Sequence, residues 1–106
     1  MPRIEHIAFW VDDLDALSAF YARAFGARIE LMTTSRLSPT RHPPGVERMG
    51  LTHFAISLGS EAAVDELTAR LRAEGISVLD GPRRTGDGYY ESVVLDPEGN
   101  RIEITA

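Results

Sequence analysis

The chain of 106 residues contains no cysteine, which excludes disulfides and thiolate metal sites outright. It has no apolar run approaching the length of a membrane span. Its basic residues are scattered apart from Arg83-Arg84, and with a net charge of −5 and a pI near 5.1 it lacks the electrostatic footprint of a nucleic-acid binder. Met1-Pro2-Arg3-Ile4 leads straight into a strand pattern, without the charged and apolar regions of a secretory leader. A cytoplasmic location is the expectation from these absences. What is present, 43% apolar and 25% charged residues, is ordinary for one small globular domain long enough to bury a core.

Two stretches are close to repeats. His6-Ile7-Ala8-Phe9 recurs as His53-Phe54-Ala55-Ile56, and Arg28-Ile29-Glu30-Leu31 recurs as Arg101-Ile102-Glu103-Ile104. Residues 4–11 alternate between two faces and read as a strand. Asp12-Asp13 offers an N-cap to a helix carrying Leu14, Leu17, Phe20, Tyr21 and Ala24 on one side, which Gly26 ends. The second half repeats this plan with a strand over 51–58, a Ser60 cap, a helix bearing Val64, Leu67 and Leu71, and a closing Gly75.

After the two glycines the halves diverge. The span from Gly75 to Glu103 is 28 residues and reads as three strands, Ile76–Leu79, Tyr89–Leu95 and Arg101–Thr105. Asp80-Gly81-Pro82, Gly86-Asp87-Gly88 and Asp96-Pro97-Glu98-Gly99-Asn100 supply the turns. From Gly26 to Glu30 is only 4 residues, a shortfall of 24, about the size of a hairpin. Thr34 to Gly50 contains Pro39, Pro43, Pro44 and Gly45 with no alternating run, and cannot supply the missing strands. Removing two consecutive antiparallel strands preserves the direction of the strand that follows, so the Glu30 strand keeps its sense. The expected fold class is α+β, paired βαβββ modules with the first shortened to βαβ. The expected organisation is a single domain over 1–106, with the shortened module at 1–33, a linker at 34–50 and the complete module at 51–106.

Alternation puts His6, Glu30, His53 and Glu103 opposite the more apolar face of their strands, the face that should lie under a helix. All four then share the open side. Neutral imidazole and ionised carboxylate bind Ni, Zn, Mn or Fe(II), and four such ligands leave octahedral positions open to polarise a carbonyl or stabilise an enediolate. A nearby carboxylate, Glu103 or Glu30, would move the proton. A lone His opening a strand is ordinarily a surface group, and a lone Glu more so; the matched order, context and face of the four carry the reading. Glu30 is the weakest member, because its strand lacks neighbours.

Other residues read more plainly. His42 is a solvated linker residue, and Arg83-Arg84 reads as a solvated turn in preference to a contact for an anionic substrate. One of Tyr89 and Tyr90 should face the open side as a substrate wall. Trp10, Met32 and Met49 suit either an apolar pocket or core and dimer packing. Gly86-Asp87-Gly88 is a turn and not a phosphate loop, since no strand-to-helix junction follows it.

His6-Ile7-Ala8-Phe9-Trp10-Val11, Leu51-Thr52-His53-Phe54-Ala55-Ile56 and the run from Leu95 to Ile104 resemble the vicinal oxygen chelate superfamily, which includes glyoxalase I, methylmalonyl-CoA epimerase, extradiol dioxygenases and the fosfomycin and bleomycin resistance proteins. The resemblance implies strand order 1-4-3-2 in each module, with the lost hairpin being the outer two strands of the first. It carries His6, Glu30, His53 and Glu103 onto the ligand set of the glyoxalase I branch. Val93 stands where the fosfomycin enzymes place a Tyr, and no further His sits on a strand as in the extradiol dioxygenases. The resulting expectation is a divalent-metal-dependent lyase or isomerase acting on a small carbonyl compound through an enediolate. The alternative is a non-catalytic small-molecule binder or resistance-type protein on the same fold. A small-molecule substrate and a homodimer, open to exchange of modules between copies, are the expected partners, with neither nucleic acid nor membrane.

Overall fold

The first His-led segment does form a strand. In the computed structural model, which describes residues 6–22, 28–38, 46–47 and 50–106, β1 runs His6–Trp10 with His6, Ala8 and Trp10 exposed and Ile7 and Phe9 half-buried. The helix α1 follows at Leu14–Tyr21, where the Asp13 carboxylate accepts from the Ala16 N–H at 2.9 Å and so satisfies one of the orphan donors of the first turn. Leu17, Phe20 and Tyr21 are buried, and the Tyr21 ring stacks on Phe9 at 5.8 Å. Strand β2, Arg28–Met32, pairs in parallel with β1, so that Ala8 lies opposite Glu30 and Trp10 opposite Met32. These elements belong to a first compact unit, Met1–Arg41. The predicted closing glycine Gly26, together with His42 and Met49, lies outside the described residues.

The second unit, His42–Ala106, contains β3 (Phe54–Ser57), α2 (Glu61–Ala73), β4 (Val78–Arg84), β5 (Tyr90–Leu95) and β6 (Arg101–Thr105). Ser60 caps α2 by accepting from Ala63 N–H at 3.1 Å. At the other end Gly75 takes φ +88°, its N–H donating to Arg72 O and that of Ile76 to Leu71 O, the paired bonds of a Schellman terminus. The sheet has the order β3-β6-β5-β4, the 1-4-3-2 arrangement the resemblance implies. Parallel pairing of β3 with β6 is why a helix must intervene, and antiparallel β5 joins β6 through a tight turn. In that turn the buried Asp96 carboxylate accepts from the Glu98 and Asn100 N–H groups and from Asn100 Nδ2.

Val64, Leu67 and Leu71 of α2 pack with Val94, Ile102 and Ile104 as the core of this unit. One polar link crosses it: the Thr68 and Ser92 hydroxyls are 2.7 Å apart, and Thr68 also donates to Val64 O. Burying both hydroxyls is tolerable because each has a partner. The first unit is thus βαβ and the second βαβββ, an α+β fold with one shortened module. No helix among the described residues is long and apolar enough to cross a membrane.

The structure alters two local expectations. The second His strand begins at Phe54, leaving His53 in its lead-in. Asp80-Gly81-Pro82 is not a turn but part of β4, which continues through Arg83 and Arg84. A proline is accepted there because β4 is the outer strand of its sheet, and shifts in the β4–β5 register on either side of Asp80 absorb the irregularity.

Candidate metal centre

Each unit brings one imidazole and one carboxylate together on the exposed face of a parallel strand pair. In the first, His6 stands two residues before Ala8, which lies opposite Glu30, and His6 Nε2 is 3.7 Å from Glu30 Oε2. In the second, His53 stands two residues before Ala55, which lies opposite Glu103, and His53 Nε2 meets Glu103 Oε2. The offset is identical, so the two pairs are equivalent by register as well as by sequence. Both histidines are about two-fifths exposed, so each imidazole is reachable from solvent. Neutral imidazole nitrogen beside carboxylate oxygen is a donor set suited to a divalent first-row metal. Neither pair is complete by itself: among the described residues no three His, Cys, Asp or Glu side chains gather as a metal-holding group.

The second pair has a carboxylate neighbour. Glu91 lies opposite Thr105 and Val93 opposite Glu103, so Glu91 is diagonal to Glu103 on the same face of adjacent strands. A hydrogen bond to Glu103, then partial burial and the charge of Glu103, push the Glu91 carboxyl up to about 7. Arg83, opposite Glu91 on β4, opposes that shift, and its Nε donates to Asp80 at 2.7 Å. On this face of the second unit two neighbouring carboxylates, Glu103 on β6 and Glu91 on β5, are therefore followed by the Arg83 cation on β4.

A model of the Glyoxalase/Bleomycin resistance protein/Dioxygenase superfamily matches residues 3–104. The chain belongs to this superfamily. An uncharacterized Pseudomonas aeruginosa protein is 30% identical to it over 126 aligned residues, covering 98% of this chain and 88% of that one. The metallothiol transferase FosB of Lysinibacillus sphaericus is 26% identical over 113 residues, covering 95% and 79%. Among solved structures, a glyoxalase/dioxygenase from Nostoc punctiforme superposes with a TM-score of 0.82 at 20% identity, over 97% of this chain and 89% of that one. Lactoylglutathione lyase from Agrobacterium tumefaciens gives 0.68 at 27% identity, over 97% and 92%.

Sequence reasoning singled out the four His and Glu residues and passed over Glu91, which the β5–β6 register sets diagonal to Glu103. Its signal was available: Glu91 shares alternation with Val93, and a five-residue turn from Asp96 to Asn100 returns β6 beside β5. The tyrosine expectation resolves in part. Tyr90 faces the helix side, where its hydroxyl donates to Asp65 at 2.5 Å and Arg84 lies over its ring, while Tyr89 is 59% exposed. Arg84 also pairs with Glu61 of α2, so neither arginine of the Arg83-Arg84 pair is simply solvated.

Proposed function

We propose that the protein is a divalent-metal-dependent lyase or isomerase of glyoxalase type, acting on a small carbonyl compound by proton transfer. His6 and Glu30 from one unit and His53 and Glu103 from the other are the metal ligands, and Glu103 or Glu30 moves the proton. The observation that carries this reading is the repeated His/Glu placement, with the same register offset in both units. A divalent ion bound there supplies a Lewis acid that polarises the substrate carbonyl. The names borne by the Agrobacterium and Lysinibacillus relatives, a lyase and a metallothiol transferase, support metal-assisted chemistry on a small molecule as the class.

The chain's own residues divide the remaining work. A carboxylate is the group of suitable basicity to accept a proton from carbon next to a polarised carbonyl and return it to the neighbouring carbon. Glu103, shielded more than Glu30, is the better placed of the two to act away from bulk water. Adding Ni(II) or Zn(II) to chelator-treated protein should raise its melting temperature, because the ion binds the native state preferentially. An unchanged melting temperature, or equal stabilisation of His53→Ala, would sink the proposal.

The shortened first unit motivates a second reading, a non-catalytic binder on the same fold. Among the described residues its sheet has two strands where the second unit has four. Turnover of the hemithioacetal of methylglyoxal and glutathione separates the two readings. A homodimer is part of the proposal, since among the described residues of its unit β2 pairs with β1 alone and edge strands invite partners. Light scattering at micromolar concentration reads it directly.

A further inference from the structure

Arg101 occupies the same face of β6 as Glu103, two residues away, and one step before the Phe54–Ile102 pairing that sets the position of His53 beside it. Its guanidinium makes a two-pronged contact with one carboxylate: Nη1 donates to Glu47 Oε2 at 3.0 Å, and Nη2 lies 2.9 Å from Oε1. The partners differ sharply in their surroundings. The Arg101 side chain is 20% exposed, whereas that of Glu47 is 78% exposed. An arginine side chain that is four-fifths shielded thus offers its planar fork of donors to a glutamate side chain that is itself largely exposed.

From this geometry we propose that Arg101 is a receptor for the carboxylate of the substrate, and that Glu47 is an internal placeholder which the substrate displaces. The fork matches any carboxylate, and Arg prefers such bidentate partners. An exposed ion pair contributes little to stability, so exchanging Glu47 for an incoming anion costs the fold little. The neighbourhood gives the anion a purpose. A small 2-oxo or 2-hydroxy carboxylate held at Arg101 would present its carbonyl or hydroxyl carbon to the side of the sheet where His53 and Glu103 meet. The substrate class is therefore a carbonyl compound carrying a carboxylate next to the reacting carbon. This assignment rests on the proposed function only for the chemistry that follows binding.

The test uses the metal-free protein, so that its outcome is independent of metal binding. Pyruvate is titrated calorimetrically into wild type, Glu47→Gln, Arg101→Gln and Arg101→Lys, with hydroxyacetone as the uncharged probe. Glu47→Gln should bind pyruvate roughly two- to fivefold more tightly than wild type, the factor by which an exposed ion pair competes. Arg101→Gln should weaken binding by about tenfold or more, and Arg101→Lys, which keeps the charge without the fork, should fall between. Hydroxyacetone should bind none of them measurably. Melting curves of the variants show that each is folded. Pyruvate binding that is equal in Arg101→Gln and wild type, or that fails to strengthen in Glu47→Gln, overturns the proposal. Failure here with intact metal stabilisation removes the substrate class alone, and loss of metal stabilisation with intact pyruvate binding removes the metal reading alone.

Discussion

The two units carry the same His/Glu pair on the same kind of parallel strand pair, yet they hold the carboxylate differently. Glu30 lies on β2, whose sheet among the described residues is β1 and β2, and its side chain is 34% exposed. Glu103 lies on β6, an inner strand between β3 and β5, and is 17% exposed. Antiparallel β5 also sets Glu91 against Glu103, an arrangement that requires a third strand. The strand pair therefore decides which donors meet, while the additional hairpin decides the environment in which the carboxylate works. The first unit keeps the donors and forgoes the environment.

The harshest way to break this difference is to disturb the hairpin where it leans on β5. Gly81 has φ +80°, and a Cβ placed there would lie 2.5 Å from the backbone oxygen of Glu91. Neither atom belongs to a flexible side-chain end, so the strands themselves must move. Gly81→Ala should destabilise the protein by on the order of 3 kcal/mol, combining backbone strain at positive φ with the clash. Urea denaturation measures it, and a loss below about 1 kcal/mol would mean that β4 is not needed to seat β5.

A smaller perturbation tests how the helix holds that strand. The buried side chains of α1 itself are Leu17, Phe20 and Tyr21, whereas α2 reaches β5 through the Thr68–Ser92 hydroxyl pair as well as through apolar packing. Thr68→Val preserves shape but strands the Ser92 hydroxyl, and should cost about 1–2 kcal/mol. Adding Ser92→Ala removes the stranded group, so the double variant should recover most of that loss. If the two single losses simply add, the hydroxyls are not energetically coupled.

How far this could be read beforehand follows from the range of each signal. Strand faces and caps are local: alternation exposed His6, Ala8 and Trp10, and Asp13, Ser60 and Gly75 act where short-range chemistry places them. The bounds Arg101–Thr105 were legible because a turn and an alternating run frame them. The strand expected at Ile76–Leu79 overlaps β4 at Val78 and Leu79, but its continuation through Asp-Gly-Pro-Arg-Arg was not legible, since that run has no alternation and only pairing with β5 makes it a strand. The Glu91–Glu103 contact depends on antiparallel register, and Arg101 meets Glu47 from 54 residues away, a separation no local pattern spans.

The subtlest test isolates the proton between Glu91 and Glu103. The Glu91 carboxyl is raised from 4.5 to about 7, first by the hydrogen bond to Glu103 and then by partial burial and by charge. Between those values the unfolded chain releases a proton that the folded chain keeps, so the native state binds more protons and its stability falls as pH rises. The contribution is complete below 4.5 and spent above about 7. In chelator, wild type should therefore lose stability relative to Glu91→Gln as pH is raised from about 4.5 to 7, since the amide cannot ionise and other carboxylates cancel in the difference. Denaturation midpoints of the two proteins at several pH values measure this slope. Parallel curves would place no shared proton beside Glu103, and the second carboxylate would then differ from the first by shielding alone.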